Sequence, residues 1–64
     1  MPDAKIYGPK IENVETKRQF VKEITDAMEK AYIFPRQAYV VTIFENRPEN
    51  VGIGGVLGID KKPV

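Results

Sequence analysis

Cysteine and histidine are both missing from this chain of 64 residues. Without cysteine there is neither a disulfide framework nor a thiolate metal site, and without histidine the commonest metal ligand and general base are lost. A chain this short buries only about 60% of its unfolded surface, so a monomeric core is marginal. Oligomerisation is the remaining means of stabilisation. We therefore predict a homo-oligomer without a metal or other cofactor.

A strong excess of one charge and a long apolar run are also missing. Ten basic and nine acidic residues give a net charge of +1, which is not typical of a nucleic-acid-binding protein. No run approaches the length of a membrane span, and Asp3 and Lys5 stand where a signal peptide needs apolar residues. We expect a cytoplasmic protein without nucleic-acid or membrane partners.

The hydrophobic pattern predicts a single βαβ unit of the α/β class. Residues Ala4–Tyr7 read as a short strand, Asn13–Tyr32 as an amphipathic helix, and Ala38–Glu45 as a strand rich in β-branched and aromatic residues. This order, with a long connection, implies two parallel strands joined by a right-handed crossover. Both faces of the second strand are apolar, and one helix covers only one face, so the other face predicts a subunit contact.

Two details of the helix are predicted from spacing. Its start fits either Asn13 as the cap or a capping box of Thr16 and Gln19. On the polar face, Asp26 precedes Lys30 by four residues, a favourable spacing for an exposed ion pair.

The glycine-rich segment near the end is predicted to be a loop and short hairpin, spanning Val51–Ile59. Its sequence VGIGGV resembles a phosphate-binding loop, but no helix follows and no lysine has the required offset. The glycines are therefore interpreted as turn and bulge residues.

Pro2 has two interpretations. A proline is tolerated at the start of a strand, where its nitrogen need not donate to the ladder. In this interpretation Pro2 only marks the start of the strand. Alternatively, removal of Met1 exposes a secondary amine that exchanges a proton near neutral pH.

Several motifs in order resemble one family. They are Met1–Pro2 before a strand, TKRQFVKEIT in the helix, TIFE ending at Glu45, and ENVGIGG over Glu49–Gly55. The sequence resembles the 4-oxalocrotonate tautomerase family over nearly its whole length, and YGPK over Tyr7–Lys10 is closest to the DmpI branch.

This resemblance implies one tautomerase-like domain over residues 1–64, assembled as a homohexamer, a trimer of dimers with active sites between subunits. It implies that Met1 is removed and that Pro2 is the general base and acid of a cofactor-independent isomerase. The implied reaction is ketonisation of 2-hydroxydienoate or related enol acids, as in the degradation of aromatic compounds.

The chain departs from the family at three site positions. The two active-site arginines fall on Glu12 and Val40, and the active-site phenylalanine falls on Val51. The nearest substitute cations are Lys10, Arg36 and Arg47, each of which is also explained as a solvated surface residue. The predicted substrate-binding residues are Lys10, Arg36, Arg47, Pro9, Ala38, Val40, Val51 and Ile53.

Because the family's two active-site arginines are absent, the sequence is also consistent with two other functions. One is a non-catalytic oligomeric module that binds a carboxylate. The other is a hydratase or dehalogenase of unsaturated acids, in which a charged proline acts as the acid.

Overall fold

The chain forms one helix on a two-stranded parallel sheet, followed by a small hairpin. The computed structural model describes residues 1–61. The strands and helix are β1 (Asp3–Gly8), α1 (Val14–Ala31), β2 (Val40–Glu45), β3 (Gly52–Ile53) and β4 (Val56–Leu57). Short 3₁₀ helices cover Arg36–Ala38, Pro48–Asn50 and Gly58–Asp60. The predicted βαβ fold with a C-terminal hairpin is confirmed.

The second strand starts two residues later than predicted. The Ala38 N–H donates to the carbonyl of Pro35 at 2.9 Å, and Tyr39 N–H donates to Arg36 at 3.3 Å. These bonds close a 3₁₀ turn, so Ala38 is not part of the strand. The first ladder contact is the Val40 N–H, which donates to the Pro2 carbonyl at 3.1 Å.

Asn13 is the residue that caps α1. Its side-chain oxygen Oδ1 accepts hydrogen bonds from the backbone N–H of Glu15 at 2.8 Å and of Thr16 at 3.4 Å. Asn13 has extended backbone angles, as an N-cap requires. The start at Asn13 is therefore correct, and the alternative start at Thr16 is wrong.

The predicted pair of Asp26 with Lys30 does not form. Asp26 instead accepts from Lys22 at 2.9 Å and from the Arg36 guanidinium at 2.8 Å. These two hydrogen bonds, from Lys22 first and Arg36 second, lower the pKa of the Asp26 carboxyl. Lys22 has the same spacing of four residues from Asp26 as Lys30 has. The Arg36 contact could not be predicted from helix spacing, because Arg36 lies in the chain after the helix.

The helix covers one face of the sheet and leaves the other open. Half-buried residues alternate along both strands, with Ala4 and Ile6 on β1 beside Val41 and Ile43 on β2. The opposite face carries the stacked rings of Tyr7 and Phe44, whose centroids are 4.7 Å apart. The side chains of that face remain exposed in a single chain.

The single chain has little interior. Among the described residues, no side chain has less than 2% of its surface exposed, and Ile33 is fully exposed. The radius of gyration is 15.2 Å, against about 11 Å for a compact chain of this length. No helix within residues 1–61 is both long and apolar enough to cross a membrane.

The hairpin turn explains two of the five glycines. Gly54 and Gly55 have φ angles of 61° and 83°, which a two-residue hairpin turn requires and which glycine adopts without strain. The interpretation of these residues as turn glycines is confirmed.

The cap of α1 gives a first test. Replacing Asn13 with alanine should lower the free energy of unfolding by about 1 kcal/mol, because two backbone N–H groups lose their acceptor. Asn13→Asp keeps an acceptor and should retain the stability. Urea unfolding at one fixed protomer concentration measures both. Equal losses in the two variants would contradict the capping role.

Candidate active site

The predicted site residues divide between the two ends of the parallel strands. The end where the strands begin, here called the proline end, holds Pro2 and Val40, with Ala38 just before β2. The end where the strands finish, here called the hairpin end, leads into the segments that carry Pro9, Lys10, Arg47, Val51 and Ile53. One chain therefore places the predicted site residues in two groups, here called half-sites.

At the proline end, Pro2 is buried while Met1 before it is 86% exposed. The Pro2 carbonyl accepts the Val40 N–H, which fixes the start of β1 against the start of β2. Beside it, Lys5 donates to Asp3 at 2.6 Å, and this hydrogen bond raises the pKa of the Lys5 ammonium. The position of Pro2 is thus set by its burial and by the backbone hydrogen bond of its carbonyl to Val40.

Tyr39 connects the loop after α1 to the proline end through hydrogen bonds of its hydroxyl. Its hydroxyl donates to the carbonyl of Tyr32 at 2.9 Å and accepts from the N–H of Phe34 at 3.2 Å. Only 9% of Tyr39 is exposed. The same residues, with Glu29 and Pro35, line an open cavity of about 380 Å³.

Arg36 is held by acidic residues of the helix. Its guanidinium contacts the carboxylates of Asp26 and Glu29. The hydrogen bond to Asp26, followed by that to Glu29, raises the pKa of Arg36. Its charge is already balanced by two carboxylates, which weakens it as a partner for a substrate anion.

The hairpin end carries a mostly apolar cavity of about 440 Å³. Two predicted residues, Pro9 and Val51, line it; the other lining residues are Tyr7, Gly8, Asn46, Pro48 and Gly58. The Gly58 N–H donates to the Val51 carbonyl at 2.7 Å. A Cβ atom on Gly58 would lie 3.1 Å from the Pro48 carbonyl, so this wall depends on glycine.

Two predicted cations, Lys10 and Arg47, are chain neighbours of the lining residues Pro9 and Pro48, although they do not line the cavity themselves. The Lys10 ammonium is 3.9 Å from Glu12, and the Arg47 Nε is 3.5 Å from Glu49. All four side chains are substantially exposed, and exposed pairs of this kind are weak. Ile53 lies on the hairpin and is 63% exposed.

The two half-sites of one chain are too far apart to act on one small molecule. The ladder runs from the Asp3–Val40 pair to the Gly8–Glu45 pair, five residues along. At about 3.3 Å per residue, this places the proline end and the hairpin end roughly 16 Å apart.

The sequence analysis did not single out four of the lining residues. Tyr7 was predicted only as the end of the first strand and Gly58 only as part of the loop and hairpin, and no role was predicted for Asn46 or Pro48. Only the register of β1 with β2 brings them together, through the Asn46 N–H that donates to Gly8 at 2.8 Å. Within residues 1–61, no group of three or more acidic side chains is arranged to hold a metal ion.

Comparison with known proteins decides the family. The family model described as tautomerase enzyme matches residues 2–60, nearly the whole chain. The chain belongs to the tautomerase family. The match begins at Pro2, and membership indicates a tautomerase-type enzyme. No curated protein matches the chain.

Solved tautomerase structures share the fold. DmpI from Archaeoglobus fulgidus is 41% identical, with a TM-score of 0.81, over 92% of this chain and all of that one. A 4-oxalocrotonate tautomerase isozyme from Methylibium petroleiphilum is 36% identical, with a TM-score of 0.78, over 91% and 94%. A 4-oxalocrotonate tautomerase homologue at 27% identity has a TM-score of 0.86 over 98% and 100%. The resemblance predicted from the motifs is confirmed.

The Tyr39 hydroxyl gives a test at the proline end. Tyr39→Phe should lower the free energy of unfolding by about 1–2 kcal/mol, since the Tyr32 carbonyl and Phe34 N–H lose their partner. Tyr7→Phe removes a hydroxyl from a residue that is 67% exposed and should leave stability nearly unchanged. Thermal unfolding of both variants at equal concentration measures the difference. An equal effect of the two changes would contradict the role of Tyr39.

Proposed function

We propose that this tautomerase ketonises a 2-hydroxydienoate or related enol acid, with Pro2 as general base and then general acid. The supporting observation is the position of Pro2, where the family match begins and where a buried ring is fixed by its carbonyl hydrogen bond to Val40. Met1 must first be removed, because in a Met1–Pro2 amide the proline nitrogen is not basic. The exposed Met1 side chain is accessible for that removal.

The chemistry needs only one mobile proton. The amine takes the proton from the enol hydroxyl, electron density moves along the conjugated chain, and the ammonium returns a proton to carbon to give the ketone. An ordinary α-amino group has a pKa of about 7.7–8.0, and burial lowers it by disfavouring the ammonium. A buried proline amine is therefore largely free base at neutral pH.

The substrate carboxylate requires a cation or amide donors. We propose Lys10 and Arg47 at the hairpin end for this role, because both are only weakly paired, whereas Arg36 is held by two carboxylates. The apolar walls Pro9 and Val51 would enclose the carbon chain. With Glu12 and Val40 at the family's arginine positions, a substrate with one carboxylate fits better than a dicarboxylate.

The complete site is proposed to lie between copies of the chain. Pro2 and the hairpin-end cavity are roughly 16 Å or more apart in one protomer, so the cavity that covers Pro2 comes from another protomer. The open Tyr7–Phe44 face and the near absence of buried side chains favour the same assembly. The homohexamer implied by the family resemblance is the expected state, with Ala38 and Ile53 as further walls from different copies.

A carboxylate-binding module without catalysis is the second candidate. The observation that favours it is the neutralised Arg36 together with the loss of both family arginines. This candidate keeps the pocket and the assembly but not proton transfer.

Replacement of Pro2 tests the proposed base. With Met1 shown to be absent by mass spectrometry, Pro2→Ala should lower kcat/KM for ketonisation of 2-hydroxymuconate or phenylenolpyruvate by roughly 100-fold. A preparation that retains Met1 serves as a control without a basic nitrogen. Turnover unchanged in Pro2→Ala would remove Pro2 from the reaction, and carboxylate binding without turnover in the processed protein would support the binding module.

The pH dependence separates a base from an acid. If free proline is the base, kcat/KM should rise with pH through the amine pKa, below about 7.7–8.0, and then level off. A profile that falls as pH rises through the same range would favour a charged proline and a hydratase or dehalogenase.

Mixing two inactive variants tests the shared site. Pro2→Ala removes the base and Val51→Glu places a charge in the cavity wall, so each should be inactive alone. When subunits of the two variants exchange at random, about a quarter of the sites should combine a native Pro2 with a native Val51. Activity should then return to about a quarter of the wild-type value. Light scattering should find a mass well above the 7.3 kDa of one chain. An assembly that exchanges subunits without regaining activity would place both parts in one protomer.

A further inference from the structure

We infer that Glu45 is a positioning residue, which holds the loop between β1 and α1 so that Pro9 and Lys10 face the hairpin-end cavity. This inference rests on the proposed function, since it assigns a role in substrate binding at the same site. The partners of Glu45 cannot be predicted from spacing in the sequence, because they lie on distant parts of the chain.

One carboxylate oxygen of Glu45 makes two contacts. Oε2 accepts the backbone N–H of Ile11, 34 residues earlier in the chain, at 2.9 Å, and the ammonium of Lys17 at 2.9 Å. Lys17 lies in the first turn of α1, where its N–H donates to Asn13. The same oxygen therefore joins the end of β2 to both the loop and the helix.

These contacts fix a short segment at both of its ends. Before Pro9, the Gly8 carbonyl accepts the Asn46 N–H at 2.8 Å. After Lys10, the Ile11 N–H is held by Glu45. Only Pro9 and Lys10 lie between these anchors, one lining the cavity and the other carrying the proposed cation.

The Glu45 pair is less exposed than the other ion pairs among residues 1–61. The Lys17 and Glu45 side chains are 33% and 28% exposed, compared with 68% and 76% for the neighbouring Arg18–Glu15 pair. The charged groups that face Glu45 are Lys17 from the helix and Lys10 from the loop. Both are cations, and the carboxylate of Glu12 in the same loop is 3.9 Å from Lys10.

The protonation of Glu45 gives a readout that does not depend on turnover. The hydrogen bond from Lys17, then that from Ile11, lowers the pKa of Glu45. A lowered pKa means that the contact is fully present above the ordinary carboxyl pKa and is lost as pH falls through the folded-state value. The loop should therefore loosen only in acid.

The test uses the assembled protein with Met1 removed, and follows the Ile11 amide by ¹⁵N NMR. In the wild-type protein this amide should shift as pH falls through the Glu45 pKa. Glu45→Gln should remove that titration, and Glu45→Ala should also speed exchange of the Ile11 amide with solvent. An Ile11 amide that behaves identically in all three proteins would overturn the inference.

Kinetics on 2-hydroxymuconate test the effect on binding. Glu45→Ala and Lys17→Gln should raise KM roughly five- to tenfold with kcat nearly unchanged, because they loosen the binding groups and not the base. Arg18→Gln, one residue along the helix, breaks an ion pair that does not touch the loop and should leave KM unchanged. Glu45→Gln keeps an acceptor for Ile11 and should lie between wild type and Glu45→Ala.

The outcomes separate the two proposals. A wild-type protein without turnover would refute the proposed function, while the Ile11 amide would still decide whether Glu45 holds the loop. A loosened loop with unchanged KM, or a fall in kcat alone, would overturn the positioning role. If Glu45→Ala does not fold, Glu45→Gln and Lys17→Gln carry the same comparison.

Discussion

The parallel pairing of β1 with β2 is the constraint on which the remaining structure depends. Parallel strands need a long crossover, so α1 must lie on one face and both strands must start at the same end. This arrangement places Pro2 beside Val40 and carries the chain to the opposite end before the loop and hairpin that follow. The proposed base and the proposed binding groups are separated by this topology, not by a defect in the chain.

The charges follow the same division. At the proline end, Arg36 is paired with Asp26 and Glu29. At the hairpin end, Glu45 pairs with Lys17 at 2.9 Å, while Lys10 is 3.9 Å from Glu12. A carboxylate substrate would therefore find weakly paired cations at the hairpin end, whereas Arg36 at the proline end is held by two carboxylates.

The sequence predicted the elements well because their signals are local. The apolar spacing of α1, its Asn13 cap and the paired glycines of the hairpin turn each depend on neighbours in the chain. The start of β2 was misplaced because the 3₁₀ turn ending at Ala38 is decided by bonds to Pro35 and Arg36. The strand propensity of these residues does not show that a 3₁₀ turn competes with the strand for Ala38.

The site was less predictable because its contacts are long-range. Pro2 remains a prediction from its place in the sequence. Val51, predicted from the family resemblance, lines the cavity, and Asn46 joins it only through the register of the two strands. Glu45 was equally hidden, since its partners Ile11 and Lys17 lie 34 and 28 residues away. Spacing rules that work within one helix do not reach such pairs.

The resemblance implies that Val40 stands where the family has an arginine, which would change how the proposed proline amine is kept uncharged. A nearby cation lowers the pKa of an amine by repulsion, whereas an apolar neighbour lowers it only by desolvation. With Val40 beside Pro2, the free-base form depends on exclusion of water from the proline end. Pro2 is buried in a single protomer, but Val40 beside it is still 37% exposed. The same contacts that complete the marginal core would therefore also complete this exclusion of water. In the proposed enzyme, proton transfer would therefore depend on assembly, because assembly buries the apolar surface that a single chain leaves open.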